Sequence, residues 1–201
     1  MEALSDGVFA IAMTLLAFQL ASPALKTAKS EDEVILALVS LWPVFVSYGI
    51  SFLALGLYWI SHHALAAFLE KTDTHQLWLN LAFLFCISLI PFSAAMLGEK
   101  FGMRSAALLY GCNLSATSLM VFLSWRGAWD IRKLIQPVFD PGIRAYIYKL
   151  HLDMAFSYLV AAVAAFWNPL VSFWAYVLIA LVHLALQLFA PVTERQMPVS
   201  S

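Results

Sequence analysis

Charged residues in this sequence are confined to short segments that separate long apolar runs. A helix that crosses a bilayer needs about 20 consecutive apolar residues, so each uninterrupted run predicts one crossing. The last run, from Met154 to Thr193, is too long for one helix and contains the helix-breaking pair Asn168-Pro169. The pattern therefore predicts an all-α membrane protein in which residues 1–201 form a single domain of six transmembrane helices. Their expected bounds are about 4–25, 34–69, 76–98, 103–126, 146–167 and 170–190.

Composition supports the lipid bilayer as the solvent of this chain. Hydrophobic residues make up 63% of the sequence and charged residues 11%, whereas roughly a quarter of the residues in a soluble globular domain are charged. A net charge of −1 offers no positive surface for a phosphate backbone, so we expect no nucleic-acid partner. No nucleophile–base pair and no cluster of metal-ligand residues stands out, so we expect neither an enzyme nor a cofactor or metal site.

Lysine and arginine residues predict the orientation, because cytoplasmic segments are richer in both. With six crossings both termini lie on one side of the membrane. That side carries Lys71, Arg126, Arg132, Lys133, Arg144, Lys149 and Arg195, and the other side carries Lys26, Lys29, Lys100 and Arg104. We therefore predict a multi-pass protein of the cell membrane with both termini in the cytoplasm.

The first apolar run differs from a plain lipid-facing helix. It opens with Ser5-Asp6, a pair suited to capping a helix N-terminus. A bulky face follows at helical spacing and includes Ile11, Leu15 and Phe18, with Thr14 beside it. In a symmetric oligomer this face would meet at the axis and form a hydrophobic constriction of the kind that gates by dewetting. Periodicity alone leaves a second interpretation open, in which the same side chains face lipid or an ordinary core.

Three stretches of the chain resemble the bacterial TMEM175 potassium channels. The longest is Ser5-Asp6-Gly7-Val8-Phe9-Ala10-Ile11-Ala12-Met13-Thr14-Leu15-Leu16, which is similar to the family signature Arg-x-x-x-Phe-Ser-Asp and the helix that follows it. Tyr58-Trp59-Ile60-Ser61-His62-His63 resembles the end of the second helix, and Leu77-Trp78-Leu79-Asn80-Leu81 with Leu89-Ile90-Pro91-Phe92-Ser93 resembles the third. The resemblance covers residues 4–98. It departs from the family at Leu4, where relatives have Phe, and the family Arg would fall before Met1.

This resemblance implies a homotetrameric potassium channel without the Thr-Val-Gly-Tyr-Gly filter, which is also absent from this sequence. It implies that the first helices line a central pore, that Ile11, Leu15 and Phe18 form its constriction, and that potassium permeates passively. Thr14 falls at a polar position associated with potassium preference, although its hydroxyl has the alternative of bonding back to its own helix. The resemblance further implies a polar network that fixes the pore helix and consists of Ser5, Asp6, His75, Trp78 and Asn80.

A different class of function stays open at this stage. Ionisable groups at membrane depth mark functional sites by default, and Asp6, Asp153 or His183 would serve as the relay of a proton-coupled transporter. Such transporters are built from inverted repeats, and we find no repeat between the two halves of the sequence. A proton leak through the same narrow pore is a variant of the channel hypothesis.

Overall fold

The structure is a computed structural model that describes residues 2–21, 23–132, 134–135 and 141–188. Within these ranges the secondary structure is helical apart from one isolated β-bridge between Leu69 and Ile135. The helices are α1 (Glu2–Leu16), α2 (Pro23–Thr27), α3 (Glu31–Ser40), α4 (Trp42–Phe68), α5 (Thr74–Glu99), α6 (Arg104–Arg126), α7 (Pro141–Ala164) and α8 (Pro169–Leu188). A 3₁₀ turn, Ala17–Leu20, continues α1, and a π turn, Gly127–Ile131, continues α6.

Six of these helical segments are long and apolar enough to cross a membrane, within the part of the chain that the structure describes. The predicted all-α, six-helix membrane fold is thereby confirmed. The spans are Glu2–Leu20, Trp42–Phe68, Thr74–Glu99, Arg104–Ile131, Arg144–Ala164 and Pro169–Leu188.

The bounds of three predicted helices differ clearly from those observed. The predicted helix 146–167 corresponds to α7, which begins earlier, at Pro141, and ends at Ala164. The predicted helix 34–69 is divided at Leu41 into α3 and α4, and the division agrees with Pro43 in the first turn of α4, where its missing N–H costs no hydrogen bond. The predicted helix 4–25 is shorter, because its α-helical part ends at Leu16 and tightens into the 3₁₀ turn.

Short polar side chains fix where several helices begin. The hydroxyl of Ser30 accepts a hydrogen bond from the Glu33 backbone N–H at 3.3 Å, and Asp73 Oδ1 accepts from the Gln76 N–H at 2.8 Å. Between α7 and α8, Asn168 Oδ1 accepts from the Leu170 N–H at 2.9 Å. These caps satisfy N–H groups that a helix start leaves without partners. The Asn168-Pro169 break predicted from the sequence therefore lies at the α7–α8 connection.

The core is formed where α4, α5, α6, α7 and α8 meet. Its largest buried side chains include Tyr58, Tyr110, Tyr158 and Tyr176. Tyr58 donates to the Leu114 carbonyl at 3.0 Å, and Tyr176 donates to the Ala107 carbonyl at 2.8 Å. Such bonds lock neighbouring helices together in an environment that has no water to compete for them.

Helix α1 packs beside this core against α4 and α5. Its buried residues are Ser5, Phe9, Ala12 and Leu16, which recur every three or four positions and so lie on one face. Within the part of the chain that the structure describes, the opposite face of α1 and of the turn that continues it is exposed, and this face contains Ile11, Thr14, Leu15 and Phe18.

Candidate pore-lining helix

The exposed face of α1 is a stripe of large apolar side chains. Ile11 is 60% exposed, Leu15 45% and Phe18 73%. The buried face is anchored by Phe9, whose ring lies 5.8 Å from that of Phe83 on α5. The rest of the chain therefore holds α1 by one face and leaves the other face exposed, where lipid or another copy of the chain would contact it in a membrane.

Thr14 lies on the exposed side of α1, one turn after Ile11. Its hydroxyl donates a hydrogen bond to the Ile11 carbonyl at 2.9 Å. This is the back-bonded geometry common for threonine in helices. The bond uses the hydroxyl proton but leaves oxygen lone pairs available, so the side chain retains a weak acceptor beside the apolar stripe.

Phe18 belongs to the 3₁₀ turn that continues α1. A 3₁₀ turn has 3.0 residues per turn instead of 3.6, so it rotates the side chains that follow Leu16 relative to a continuous α-helix. Gln19 is buried on the packed side of this turn, while Phe18 points away from the subunit.

The start of α1 is held by a buried polar group, here called the foot cluster, which consists of Ser5, His62 and Asn80. His62 Nε2 lies 2.7 Å from Asn80 Oδ1, which only accepts hydrogen bonds, so Nε2 carries the proton. Asn80 Nδ2 donates to Ser5 Oγ at 3.4 Å, and the same oxygen lies 3.4 Å from His62 Nε2. The His62 ring stacks on Phe83 at 5.4 Å and packs beside Phe9. One residue from each of α1, α4 and α5 thus meets at a single point.

Asp6, the neighbour of Ser5, is held by a different residue. Its Oδ1 accepts a hydrogen bond from the indole Nε1 of Trp59 at 2.9 Å. Trp59 in turn stacks on His63, with ring centroids 5.3 Å apart. Two polar residues in the first turns of α1 are therefore both fastened to the end of α4.

Comparison with known proteins identifies the family. A profile of the family described as endosomal/lysosomal potassium channel TMEM175 matches residues 1–91. A Streptomyces collinus protein named as a potassium channel is 31% identical over 144 residues, which are 72% of this chain and 68% of that protein. The chain belongs to the TMEM175 family.

Other members of the TMEM175 family extend the comparison to structure. The crystal structure of a lysosomal potassium-selective channel TMEM175 homolog from Chamaesiphon minutus matches with a TM-score of 0.79 at 28% identity, covering 94% of this chain and 96% of that one. A zebrafish (Danio rerio) protein named endosomal/lysosomal proton channel TMEM175 is 38% identical over 81 residues, which are 38% of this chain and 15% of that protein.

In this member of the TMEM175 family the residues expected to anchor α1 fall into two groups. Ser5 and Asn80 meet in the foot cluster, and Asp6 is fastened beside it. His75 and Trp78 lie outside the cluster on an exposed face of α5, with Trp78 66% exposed. A helix turns 100° per residue, so Trp78 lies about 200° around α5 from Asn80 and cannot share its face.

Within the chain, Ser5 and Asn80 contact His62 of α4, and Asp6 contacts Trp59 of α4. His62 and Trp59 both belong to the Tyr58–His63 segment that resembles the family. His62 and Asn80 lie on different helices, and a single sequence gives no information about which residues of two helices come into contact. The sequence likewise gives no pairing for His183, which bonds to the Ile179 carbonyl of its own helix at 2.8 Å.

Proposed function

We propose that this chain is the subunit of a homotetrameric, potassium-preferring cation channel in which α1 of each copy lines a central pore. The observation that carries the proposal is the two-faced character of α1, with one face fastened to α4 and α5 and an apolar stripe of Ile11, Leu15 and Phe18 left exposed. The bacterial relatives named as potassium channels and the potassium-selective channel from Chamaesiphon support it.

In this mechanism the apolar stripe forms the constriction. Rings of Ile11, Leu15 and Phe18 around a narrow axis exclude water, and a dry constriction is a barrier because an ion must shed hydration to enter it. Opening requires these side chains to move from the axis so that water enters. Potassium then passes down its electrochemical gradient, and its lower dehydration cost relative to sodium favours it at a pore too narrow for full hydration shells. Thr14 offers a hydroxyl oxygen next to the constriction.

The contacts at the start of α1 have a positioning role in this proposal. Ser5 and Asn80 in the foot cluster, together with the Asp6–Trp59 bond, fix the rotation of α1 about its own axis. Rotation decides which side chains face the axis, because residues two positions apart lie about 200° apart. These polar groups position the pore helix and do not contact the ion.

We also propose that the channel lies in the cell membrane with both termini in the cytoplasm. Six crossings bring the start of α1 and the end of α8 to the same side. The excess of lysine and arginine on that side supports a cytoplasmic assignment.

The reversal potential of the purified protein in a planar bilayer tests this proposal. With potassium on one side and sodium on the other, we expect a current that reverses toward the potassium equilibrium potential. The variant Ile11→Asn, which wets the constriction, should raise the conductance at least several-fold. Leu178→Asn on α8 is the matched control, because Leu178 is 63% exposed and lies on a different span. Equal currents from Ile11→Asn and wild type in folded protein would contradict the assignment of α1.

Proton conduction is a second candidate, because the zebrafish relative is named a proton channel. A narrow wetted pore lined by few polar groups passes protons along a water file. Vesicles loaded with a pH-sensitive dye and given a proton gradient separate the two candidates. Dye quenching without any potassium-dependent reversal potential would favour the proton pathway, while a potassium reversal with slow quenching would favour the potassium channel.

A further inference from the structure

The buried side chain of Gln19 is a feature of the pore helix that the proposed constriction does not explain. It lies in the 3₁₀ turn Ala17–Leu20 and is 8% exposed. Neither its Nε2 nor its Oε1 makes a hydrogen bond within the part of the chain that the structure describes. Burying an amide in this way costs free energy, because its hydrogen bonds to water are lost and none replaces them. The turn is therefore held in a conformation that its own polar side chain opposes.

The winding of the turn decides where Gln19 points. A 3₁₀ turn advances about 120° per residue and an α-helix about 100°, so three residues of 3₁₀ winding place Gln19 directly over Leu16. Leu16 is fully buried, which makes this the packed face. Three residues of α winding would instead place Gln19 about 60° from Leu16 and about 40° from Leu15. Rewinding the turn as α-helix would therefore move the amide from the packed face toward the exposed stripe.

The same rewinding would turn Phe18 away from the middle of the stripe. Ile11 and Leu15 lie about 40° apart around an α-helix, and 3₁₀ winding after Leu16 places Phe18 midway between them in projection. Phe18 is also the most exposed of the three, at 73%. The change to α winding would rotate Phe18 by about 40°, past Ile11 to the edge of the stripe. A bulky ring would thus leave the middle of the stripe while a polar amide approached it.

The local sequence is compatible with α winding. Ala17, Gln19 and Leu20 are among the better helix formers, and the turn contains neither Gly nor Pro. Rewinding exchanges i→i−3 bonds, such as the 3.1 Å bond that the Ala21 N–H donates to the Phe18 carbonyl, for α-helical bonds of better geometry. The packing of the turn against α4 opposes the change. Two windings of one short segment therefore compete, and the buried amide favours the α-helical one.

We propose that the turn Ala17–Leu20 is the moving part of the gate and that Gln19 is a pore-lining residue of the open channel. In the closed channel, 3₁₀ winding buries Gln19 and centres Phe18 on the axis. On opening, the turn rewinds as α-helix, Phe18 leaves the axis, and the Gln19 amide meets the water and potassium that enter. Its oxygen accepts hydrogen bonds or contacts the cation, and its NH₂ group donates to water. This inference rests on the proposed function, because it takes α1 as the pore helix.

The open probability of Gln19→Met in planar bilayers tests the proposal. Methionine is unbranched and similar in size to glutamine but lacks the amide, so it stabilises the buried state and offers little to water in the pore. We expect the open probability to fall about tenfold and the melting temperature in detergent to rise by about 2–5 °C. Gln187→Met on α8 is the matched control, because Gln187 Oε1 is also buried without a hydrogen bond among the described residues. It lies on a span outside the proposed pore and should leave the open probability unchanged.

Cysteine modification gives a second readout, which reports position. In the full-length protein with Cys86→Ala and Cys112→Ala, a positively charged methanethiosulfonate reagent is added to conducting channels. The reagent should block the current of Gln19→Cys, because the open channel exposes that position to the pore. Leu16→Cys should resist the reagent, since Leu16 is buried and precedes the segment that rewinds.

The possible outcomes separate this inference from the proposed function. An unchanged open probability in Gln19→Met, or a current through Gln19→Cys that the reagent leaves intact, would overturn the inference alone. A raised melting temperature of Gln19→Met with an unchanged open probability would show that the buried amide has a purely structural effect, which also overturns it. Absence of potassium current from the wild-type protein would contradict the proposed function and the inference together.

Discussion

Thr14 combines two properties that bear on ion selectivity. Its side chain is exposed beside Ile11, and its hydroxyl is oriented by a bond to the Ile11 carbonyl. A hydroxyl held in this way keeps its oxygen at a fixed rotamer, so its lone pairs have a defined direction relative to the apolar stripe. Both interpretations left open by the sequence, back-bonding and a contribution to the pore, are therefore compatible in one geometry.

The variant Thr14→Val separates these two roles, because valine keeps the shape of threonine and loses the oxygen. We expect the permeability ratio of potassium to sodium to fall about two- to fivefold, as for loss of one weak polar interaction, with the conductance retained. Reversal potentials under bi-ionic conditions measure the ratio. Thr14→Ser keeps the hydroxyl and should preserve the ratio. An unchanged ratio in Thr14→Val would remove Thr14 from the selectivity mechanism.

A second prediction at the scale of single residues concerns the stability that the foot cluster provides. Asn80→Ala removes the hydrogen bonds that Asn80 makes with His62 and Ser5 at a buried site, which should lower the free energy of unfolding by about 1–3 kcal/mol. Unfolding of purified protein in detergent measures the change. His75→Ala on the exposed face of the same helix should cost less than about 0.5 kcal/mol. The opposite ranking of the two variants would mean that the sequence-derived network, and not the foot cluster, holds α1.

At the scale of helices, close packing depends on glycine where α6 meets α7 and α8. A Cβ added to Gly111 would lie 2.7 Å from the Ala162 Cβ and against the hydroxyl of Tyr176. Gly98 has a similar role between α5 and α4, where an added Cβ would lie 2.8 Å from the Val44 Cα. Small residues at such crossings let helix backbones approach, which is the main source of packing energy between helices in lipid.

We therefore expect Gly111→Ala to destabilise the subunit by about 1–3 kcal/mol through overpacking. Gly56→Ala on α4 is its matched control, since an added Cβ there would meet nothing within 4 Å. The control should leave stability unchanged or raise it by about 0.5 kcal/mol, because alanine is the better helix former. Apparent melting temperatures of the two variants in the same detergent test this. Equal melting temperatures would contradict the tight α6–α7–α8 crossing.

Helix number was predictable from the sequence because charged residues interrupt every apolar run except the last, and Asn168-Pro169 divides that one. Helix ends were harder to predict. The junction of α3 and α4 at Leu41 lies inside an apolar run, and hydropathy does not distinguish a helix at the membrane surface from one that enters it. The 3₁₀ turn Ala17–Leu20 contains neither Gly nor Pro, so no residue in it predicts that the α-helix ends there. Both features depend on how the segments pack against α4 and α8, which is tertiary information.

At the scale of the whole molecule, the face predicted for Ile11, Leu15 and Phe18 agrees with their exposure. Ile11, Leu15 and Phe18 share a face by helical periodicity alone, and that face is the one left uncovered by the subunit. The foot cluster was predicted in part. Ser5 and Asn80, which lie 75 positions apart, were expected in one network, but His62 was not. Contacts of that separation follow from the arrangement of three helices and not from spacing along any one of them.

The last prediction concerns the contact between copies of α1 in the proposed assembly. One copy of α1 cannot enclose a pore, so the proposed channel requires the exposed stripes of several copies to meet at an axis. In a background with Cys86→Ala and Cys112→Ala, which removes both natural cysteines, Ile11→Cys should form oxidised dimers between neighbouring copies in native membranes. A bifunctional maleimide should extend the products to four times the 22.3 kDa subunit. Leu178→Cys, exposed on α8, should stay monomeric under the same conditions. Cross-linking at Leu178 and none at Ile11 would place lipid against α1 and move the interface to another face of the bundle.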